Sequence, residues 1–340
     1  GGAERGWGLD YGMSEQSRGR PVVAVTRRTP KAIEIEGAEV RVLGDGEPER
    51  GALLGFVRGA SVIVSMHTDR IDGELLDAAG AGLRGVCNHA VGYNNIDIAA
   101  CRERGVVVTN TPDAVTEGTA NMAVLLMLGV ARRVVWGDRF ARSGAWAEHG
   151  VLGMGEQLGL DLCGKLLLVV GAGRIGYATA LRARAFGMRV GYVARRRHIE
   201  FEMSPLGGRR FGLEEGLRAA DVVSLHVPLT GETRHLMNAE RLGLLKDGAI
   251  LVNTARGPIV DEDALVRELE TGRLWGAGLD VFEHEPRVHP GLIGREDVLM
   301  SPHVGSAEIR FRRMMSEMCE ENARAILEGR EAPNRVEMGG

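Results

Sequence analysis

Three short polar segments each follow directly on an apolar stretch. They are Asn253-Thr254-Ala255-Arg256-Gly257, Asp280-Val281-Phe282-Glu283-His284-Glu285-Pro286 and Ser301-Pro302-His303-Val304-Gly305-Ser306. An arginine so placed can clamp a carboxylate through two N–H bonds and polarise a carbonyl beside it. A histidine can give or take an alcohol proton near neutral pH. A neighbouring glutamate can fix the imidazole tautomer and raise its pKa. The sequence offers both Glu283 and Glu285 for that task. Singly, each residue has a plainer reading. Arg256 would serve as a helix cap or surface ion pair, the glutamates as parts of a solvated turn, and His303 as a turn residue after proline. Their joint placement makes coincidence hard to sustain.

Such groups are positioned by strand ends, and one stretch organises the strands. Leu166 to Val170 is a run of five apolar residues, which reads as a strand buried on both faces. Gly171-Ala172-Gly173-Arg174-Ile175-Gly176 follows at once, and then a helical run from Tyr177 to Phe186. In a strand–GxGxxG–helix unit Gly171 allows the tight turn and Gly173 lets the backbone approach a pyrophosphate. Gly176 lets helix and strand pack closely. The helix N-terminus offers free N–H groups and a positive dipole end to the phosphates. The second strand, Met188 to Val193, ends where an NAD-specific site would place an acid for the ribose 2′-hydroxyl. Ala194 stands there, followed by Arg195, Arg196 and Arg197. Nothing there repels a 2′-phosphate, and three guanidiniums can pair with one, so NADP(H) is expected, with NAD(H) the alternative. Beside a nicotinamide, Arg256, His303 and a glutamate complete the set for reducing a 2-keto acid. The hydride would come from the cofactor, and the protein would supply orientation, charge and one proton.

Composition narrows the class. A chain of 340 residues has room for two domains, and 44% hydrophobic with 26% charged residues is ordinary for a globular protein. A net charge of −4 gives no footprint for nucleic acid or an anionic membrane, and 4% aromatics leave little for base stacking. No apolar run reaches membrane-spanning length, and no signal-type apolar segment follows the N-terminus. Cys87, Cys101, Cys163 and Cys319 are scattered without metal-ligand spacing. Reduced thiols, a cytoplasmic location and no metal are expected.

Along the chain, residues 1–20 read as a disordered leader, with Met13 as the expected natural start. From Pro21 to Asn110 helical and strand-like segments alternate with short links, which implies a parallel, helix-covered sheet. Thr111-Pro112-Asp113 breaks the alternation, and a long helix is predicted from about Val115 to Arg133. Residues 143–160 read as a Gly-rich, irregular arm. The dinucleotide unit continues through strands at 222–226, 249–253 and 275–280, a helix at 261–270 and a short strand at 298–301. A terminal helix is predicted from Phe311 to Glu328 and can fold back onto the first unit. The expected fold is α/β, with two Rossmann-like or flavodoxin-like domains of parallel strands and a cleft between them. Residues 21–112 with 303–336 would form the substrate domain, and 113–302 the nucleotide domain. Substrate would sit in the cleft, at the carboxyl ends of the strands.

From Pro21 to about Val336 the chain resembles the D-isomer-specific 2-hydroxyacid dehydrogenases. The matching motifs are 91–97 (Val-Gly-Tyr-Asn-Asn-Ile-Asp), Thr111-Pro112-Asp113, 171–176, 253–257, 279–286 and 301–307. The resemblance implies Arg256 as the substrate-binding and polarising arginine, His303 as acid/base and Glu285 as its partner. It puts the substrate carboxylate at the backbone of Val91 and Gly92, and Asp280 at the nicotinamide carboxamide. Val227 and Pro228 would line the cofactor cleft. The whole expected cofactor set is Gly171, Gly173, Arg174, Ile175, Gly176, Ala194, Arg195, Arg196, Arg197, Val227, Pro228, Thr254, Ala255, Arg256, Asp280, His303 and Gly305. Met66 and His67 are candidates for gating the substrate's third carbon, beside Val91, Gly92, Arg256 and His303. Residues 192–197 and 305–307 look most like those of glyoxylate/hydroxypyruvate reductases, so glyoxylate, hydroxypyruvate or a similar small 2-keto acid is the expected substrate. Two positions depart from the usual pattern, Asn94 and Asn121, where an acid is common. Family members pair as homodimers through an arm that corresponds to 143–160. Phosphite oxidation is a weaker reading, since the chain's only lysines are Lys31, Lys165 and Lys246. A phosphoglycerate-type enzyme is a further alternative, although such enzymes commonly carry a longer C-terminal regulatory region. A dinucleotide-sensing corepressor of the same fold is the non-enzymatic alternative.

Overall fold

The computed structural model describes residues 19–337; most of the expected leader lies outside them. The first unit alternates β1 (Val22–Val25), β2 (Glu39–Val42), α1 (Arg50–Phe56), β3 (Val62–Ser65), α2 (Gly73–Ala79), β4 (Gly85–Asn88), α3 (Ile98–Glu103) and β5 (Val107–Thr109). Its five strands are all parallel, in the order β2-β1-β3-β4-β5. The chain then crosses through α4 (Thr116–Ala131), α5 (Val134–Arg142) and α6 (Ala145–His149).

The second unit contains β6 (Leu166–Val170), α7 (Arg174–Ala185), β7 (Arg189–Val193), α8 (Ile199–Glu202), β8 (Arg209–Arg210), α9 (Leu213–Ala219), β9 (Val222–Leu225) and α10 (Ala239–Leu242). β10 (Ile250–Asn253), α11 (Glu262–Glu270), β11 (Gly276–Leu279) and β12 (Val298–Met300) complete it. Its seven strands run parallel in the order β12-β11-β10-β9-β6-β7-β8. The order reverses beside β6, and that switch opens a crevice at the carboxyl ends of the strands. The last helix, α12 (Ile309–Leu327), returns to the first sheet, where Cys319, Ala323 and Ile326 pack with Val62, Val64 and Cys87.

Both sheets are covered on both faces by apolar layers, as the unbroken hydrophobic run of β6 requires of the second. The elements differ from the sequence expectations mainly at their ends. α7 begins at Arg174, three residues before the predicted start, because the GxGxxG turn itself forms the first helical turn. The arm at 143–160 holds a short helix, α6. The segment 199–219, which carries little periodicity, forms α8, β8 and α9. No single helix among the described residues is long and apolar enough to cross a membrane.

Candidate active site

The site is assembled at the carboxyl ends of β10, β11 and β12. Buried Asn253 ends β10 and staples the turn after it: its Oδ1 accepts from the Ala255 N–H at 3.0 Å, and its Nδ2 donates to the Arg256 carbonyl at 3.0 Å. Gly257 follows, packed so tightly that an added Cβ would overlap the Phe282 carbonyl and the Glu283 N–H. That contact locks the Arg256 turn against the loop after β11.

Glu285 lies on that loop. Its Oε1 accepts from the Phe282 N–H at 2.9 Å, and its Oε2 meets the Nδ1 of His303 at 2.8 Å. Burial alone would raise the Glu285 carboxyl. The hydrogen bond and charge of His303, with the Phe282 N–H, outweigh it and hold the carboxyl below its usual range. Of the two glutamates open at the sequence level, the other, Glu283, pairs with His235 at 2.5 Å instead.

His303 follows β12 with a φ of +53°, in the left-handed region. Such a backbone costs on the order of 1 kcal/mol and persists only where its surroundings over-determine it. Here the His303 N–H donates to the Asp280 carbonyl at 2.7 Å. The buried Asp280 side chain holds the rest of the turn: Oδ1 accepts from the Ser301 hydroxyl at 2.6 Å and the Val304 N–H at 2.9 Å, and Oδ2 from the Gly305 N–H at 2.7 Å. Asp280 and Gly305, both expected at the cofactor, are bonded to each other.

Arg256 reaches from this unit to the other. Its Nε donates to Asn94 Oδ1 at 3.2 Å and its Nη1 to the Ala255 carbonyl at 2.7 Å, while the guanidinium lies against Gly92. Burial pulls the Arg256 guanidinium below its ordinary range, and the Glu285 charge opposes that. Gly92 is itself pinned, since its carbonyl accepts from Asn88 Nδ2 at 2.8 Å. Asn95 ties this loop to the one after β3, donating to the Met66 carbonyl at 3.1 Å and the Asp69 carbonyl at 2.9 Å. Val91 joins a small apolar cluster that includes Ile175, Ala114, Val115 and Met315. From the same side His67 lays its ring 4.8 Å from that of His303. Thus Arg256, Glu285, His303, Gly92 and His67 come together. Met66 is buried beneath them.

The dinucleotide turn has the geometry its glycines predict. Gly171 has a φ of +106°, and a Cβ on it would stand 2.6 Å from the His226 carbonyl, just before Val227 and Pro228. A Cβ on Gly176 would overlap the Gly171 carbonyl. In front of Gly173, the N-cap of α7, there is open space. This clearance at a helix N-terminus fits a pyrophosphate. Arg174, exposed on that first turn, faces Asp113 across 3.5 Å. Thr254 has a buried hydroxyl with no partner, beside Ala255 at the end of β10.

After β7, Arg195 and Arg196 are exposed and make no side-chain ion pair or hydrogen bond among the described residues, whereas Arg197 is bound to Glu202 at 2.5 and 2.8 Å. Arg210 of β8 donates to the carbonyls of Ala194 at 3.0 Å and Arg195 at 2.9 Å, so a fourth arginine braces this loop. Sequence reasoning missed Arg210, the bracing role of Asp280 and the grip of Asn94 on Arg256. Each depends on a partner distant along the chain. The one available signal was the neutral residue at position 94.

The family model for the NAD-binding domain of D-isomer-specific 2-hydroxyacid dehydrogenases matches residues 124–305. A glyoxylate reductase of Thermococcus onnurineus is 46% identical over 322 residues, covering 93% of this chain and 96% of that one. A crystal structure of a Thermus thermophilus protein superposes with a TM-score of 0.87 at 46% identity, covering 93% of this chain and 99% of that one. The NADPH-dependent glyoxylate/hydroxypyruvate reductase of Sinorhizobium meliloti, solved with NADP and malonate, gives 0.81 at 32% identity, covering 94% and 97%. With these likenesses over nearly its whole length, and the paired sheets and dinucleotide turn described above, the chain belongs to the D-isomer-specific 2-hydroxyacid dehydrogenases and is a nicotinamide-dinucleotide-dependent oxidoreductase.

Proposed function

We propose that this enzyme reduces glyoxylate, hydroxypyruvate or a similarly small 2-keto acid to the D-2-hydroxy acid, with Arg256, Glu285 and His303 as its catalytic residues. The observation that carries the reading is the His303–Glu285 pair beside an arginine that crosses to Gly92. The substrate carboxylate rests on the backbone N–H groups at Val91 and Gly92 and on Arg256, which also polarises the 2-keto oxygen. Glu285 occupies His303 Nδ1, so Nε2 is the atom that faces the substrate. A bound nicotinamide would supply the hydride to carbon 2; His303 Nε2 would give its proton to the keto oxygen, with Glu285 stabilising the imidazolium beforehand. In the reverse direction the same nitrogen takes the alcohol proton. Asp280 serves this site by holding the His303 turn, which reaches the nicotinamide side through Gly305.

The preferred cofactor in this reading is NADP(H). Two unpaired arginines, 195 and 196, and no acid at Ala194 support it. Gly171, Gly173, Arg174, Ile175 and Gly176 would hold the pyrophosphate, and Val227, Pro228, Thr254 and Ala255 would line the rest of the cofactor cleft. Residues 21–112 with 303–336 form the substrate domain and 113–302 the nucleotide domain. The arm supports a homodimer, because Trp146, Val151, Met154 and Leu158 expose apolar surface along it. Four unpaired cysteines, three of them buried, favour a reducing, cytoplasmic setting. The decisive measurement is NADPH and NADH oxidation with glyoxylate, hydroxypyruvate, pyruvate and branched keto acids. Turnover of the small acids with NADPH preference is expected, and turnover of only branched or aromatic acids would overturn the substrate assignment.

A further inference from the structure

We infer that His67 recognises a hydroxyl group on the third carbon of the keto acid and so makes hydroxypyruvate a better substrate than pyruvate. The inference rests on the 2-keto-acid reading above and adds to it the residue that sets preference within that class.

Position comes first. His67 follows Met66 at the end of β3, and Asn95 bonds the Met66 carbonyl, so this loop and the Val91–Gly92 loop form one wall. The His303 ring lies directly against that of His67, with centroids 4.8 Å apart at an interplanar angle of 50°, so the two imidazoles present one continuous polar edge. A keto acid with its carboxylate at Gly92 and its keto oxygen at His303 would direct its remaining substituent along that edge, towards the His67 nitrogens. For glyoxylate that substituent is a hydrogen, for pyruvate a methyl, and for hydroxypyruvate a hydroxymethyl.

Chemistry comes second. Among the described residues His67 makes no side-chain hydrogen bond, and neither ring nitrogen is among the sealed, unpartnered polar atoms of the chain. A half-buried imidazole with two free, accessible nitrogens is unusual in a folded protein, where enclosed polar groups find partners. Burial, and then the charges of His303, Arg256 and Arg312, push His67 down to about 4, with Glu285 opposing. At neutral pH it is therefore an uncharged ring with one N–H donor and one bare nitrogen. A hydroxyl can accept from the first or donate to the second. A methyl can do neither and leaves the ring unpaired, which is the situation in which a polar pocket rejects a deoxy analogue most strongly. A neutral ring also offers no charge for a phosphate on that carbon.

The test compares His67→Leu, which keeps much of the volume and removes both nitrogens, with His67→Gln, which restores a donor and an acceptor. kcat/KM is measured with NADPH for glyoxylate, pyruvate and hydroxypyruvate. Binding of D-glycerate and D-lactate to the dinucleotide-loaded enzyme is measured by calorimetry. In the Leu variant the hydroxypyruvate-to-pyruvate ratio should fall by about 10- to 100-fold, and glycerate should lose its advantage over lactate by a similar factor. The Gln variant should recover most of both. Ratios that stay put in His67→Leu would overturn the inference. So would an equal loss for all three acids with a displaced pH profile, since His67 would then act through His303. Failure of the unaltered enzyme to reduce any of the three would remove the activity itself, a result separable from the variant data.

Discussion

Gly92 and the Arg256 guanidinium, on opposite sides of the cleft, are in such close contact that a single added methyl group would overlap the arginine. Gly92 is held through its carbonyl by Asn88, so the arginine end must give way, at the expense of its Nε bond to Asn94. Gly92→Ala should therefore displace the guanidinium and lower kcat/KM for the keto acid by about 100-fold, the scale of an ångström-level misplacement. Dinucleotide affinity, read by fluorescence titration, should stay within about twofold. A parallel loss of NADPH binding would show that the damage lies elsewhere.

Glu285→Gln keeps the shape of the side chain and removes the charge that holds His303 Nδ1–H. We expect kcat to fall by about 10²- to 10³-fold with KM little changed, and His303→Ala to fall at least as far. A rate that survives His303→Ala would take His303 out of proton transfer.

Asp280 accepts three hydrogen bonds from the turn that carries His303. Asp280→Ala would leave buried donors without an acceptor, at a cost of about 3 kcal/mol. It would also release the left-handed His303 backbone. Tm and kcat should drop together. A variant with wild-type Tm and reduced rate would instead assign Asp280 a direct role at the substrate or cofactor.

His67, His89 and His226 are each pushed by burial down to about 4, His67 and His89 with help from neighbouring cations. In the unfolded chain they protonate near 6.5. As pH falls from about 6.5 towards 4, the unfolded state binds protons that the folded state refuses, so stability is full above that window and is lost through it. The loss should reach on the order of a few kcal/mol. Urea midpoints measured between about pH 7 and 5.5, above the range where most carboxylates titrate, check this. His89→Gln should flatten the slope, and a level profile in the unaltered enzyme would contradict it.

Much of this was legible in the residues. The alternation of apolar runs and helical segments carries its own period, so both parallel sheets and the dinucleotide turn could be read directly. Arg256, His303 and a glutamate, either Glu283 or Glu285, could be grouped because strand ends converge on one edge of a parallel sheet, and the family resemblance pointed to Glu285 of the two. What could not be read were pairings between side chains remote in sequence. Nothing local distinguishes Arg197, tied to Glu202, from Arg195 and Arg196, which stay unpaired. The segment 199–219 is short-elemented, and its Arg210 braces the backbone carbonyls of the loop after β7. Asp280 accepts hydrogen bonds from Ser301, Val304 and Gly305, donors more than twenty positions later that no local pattern announces.

The interlock of Gly257 with the Phe282–Glu283 backbone, together with the bonds from His303 to Glu285 and to the Asp280 carbonyl, has a mechanical corollary. Cation, acid and counter-ion ride on a single plate, and the floor formed by Gly92 and His67 rides on another. Rocking the two plates apart would break the Arg256–Asn94 bond and unmake the cradle while leaving the imidazole and its carboxylate joined, so the one catalytic group that feels the seam is the guanidinium.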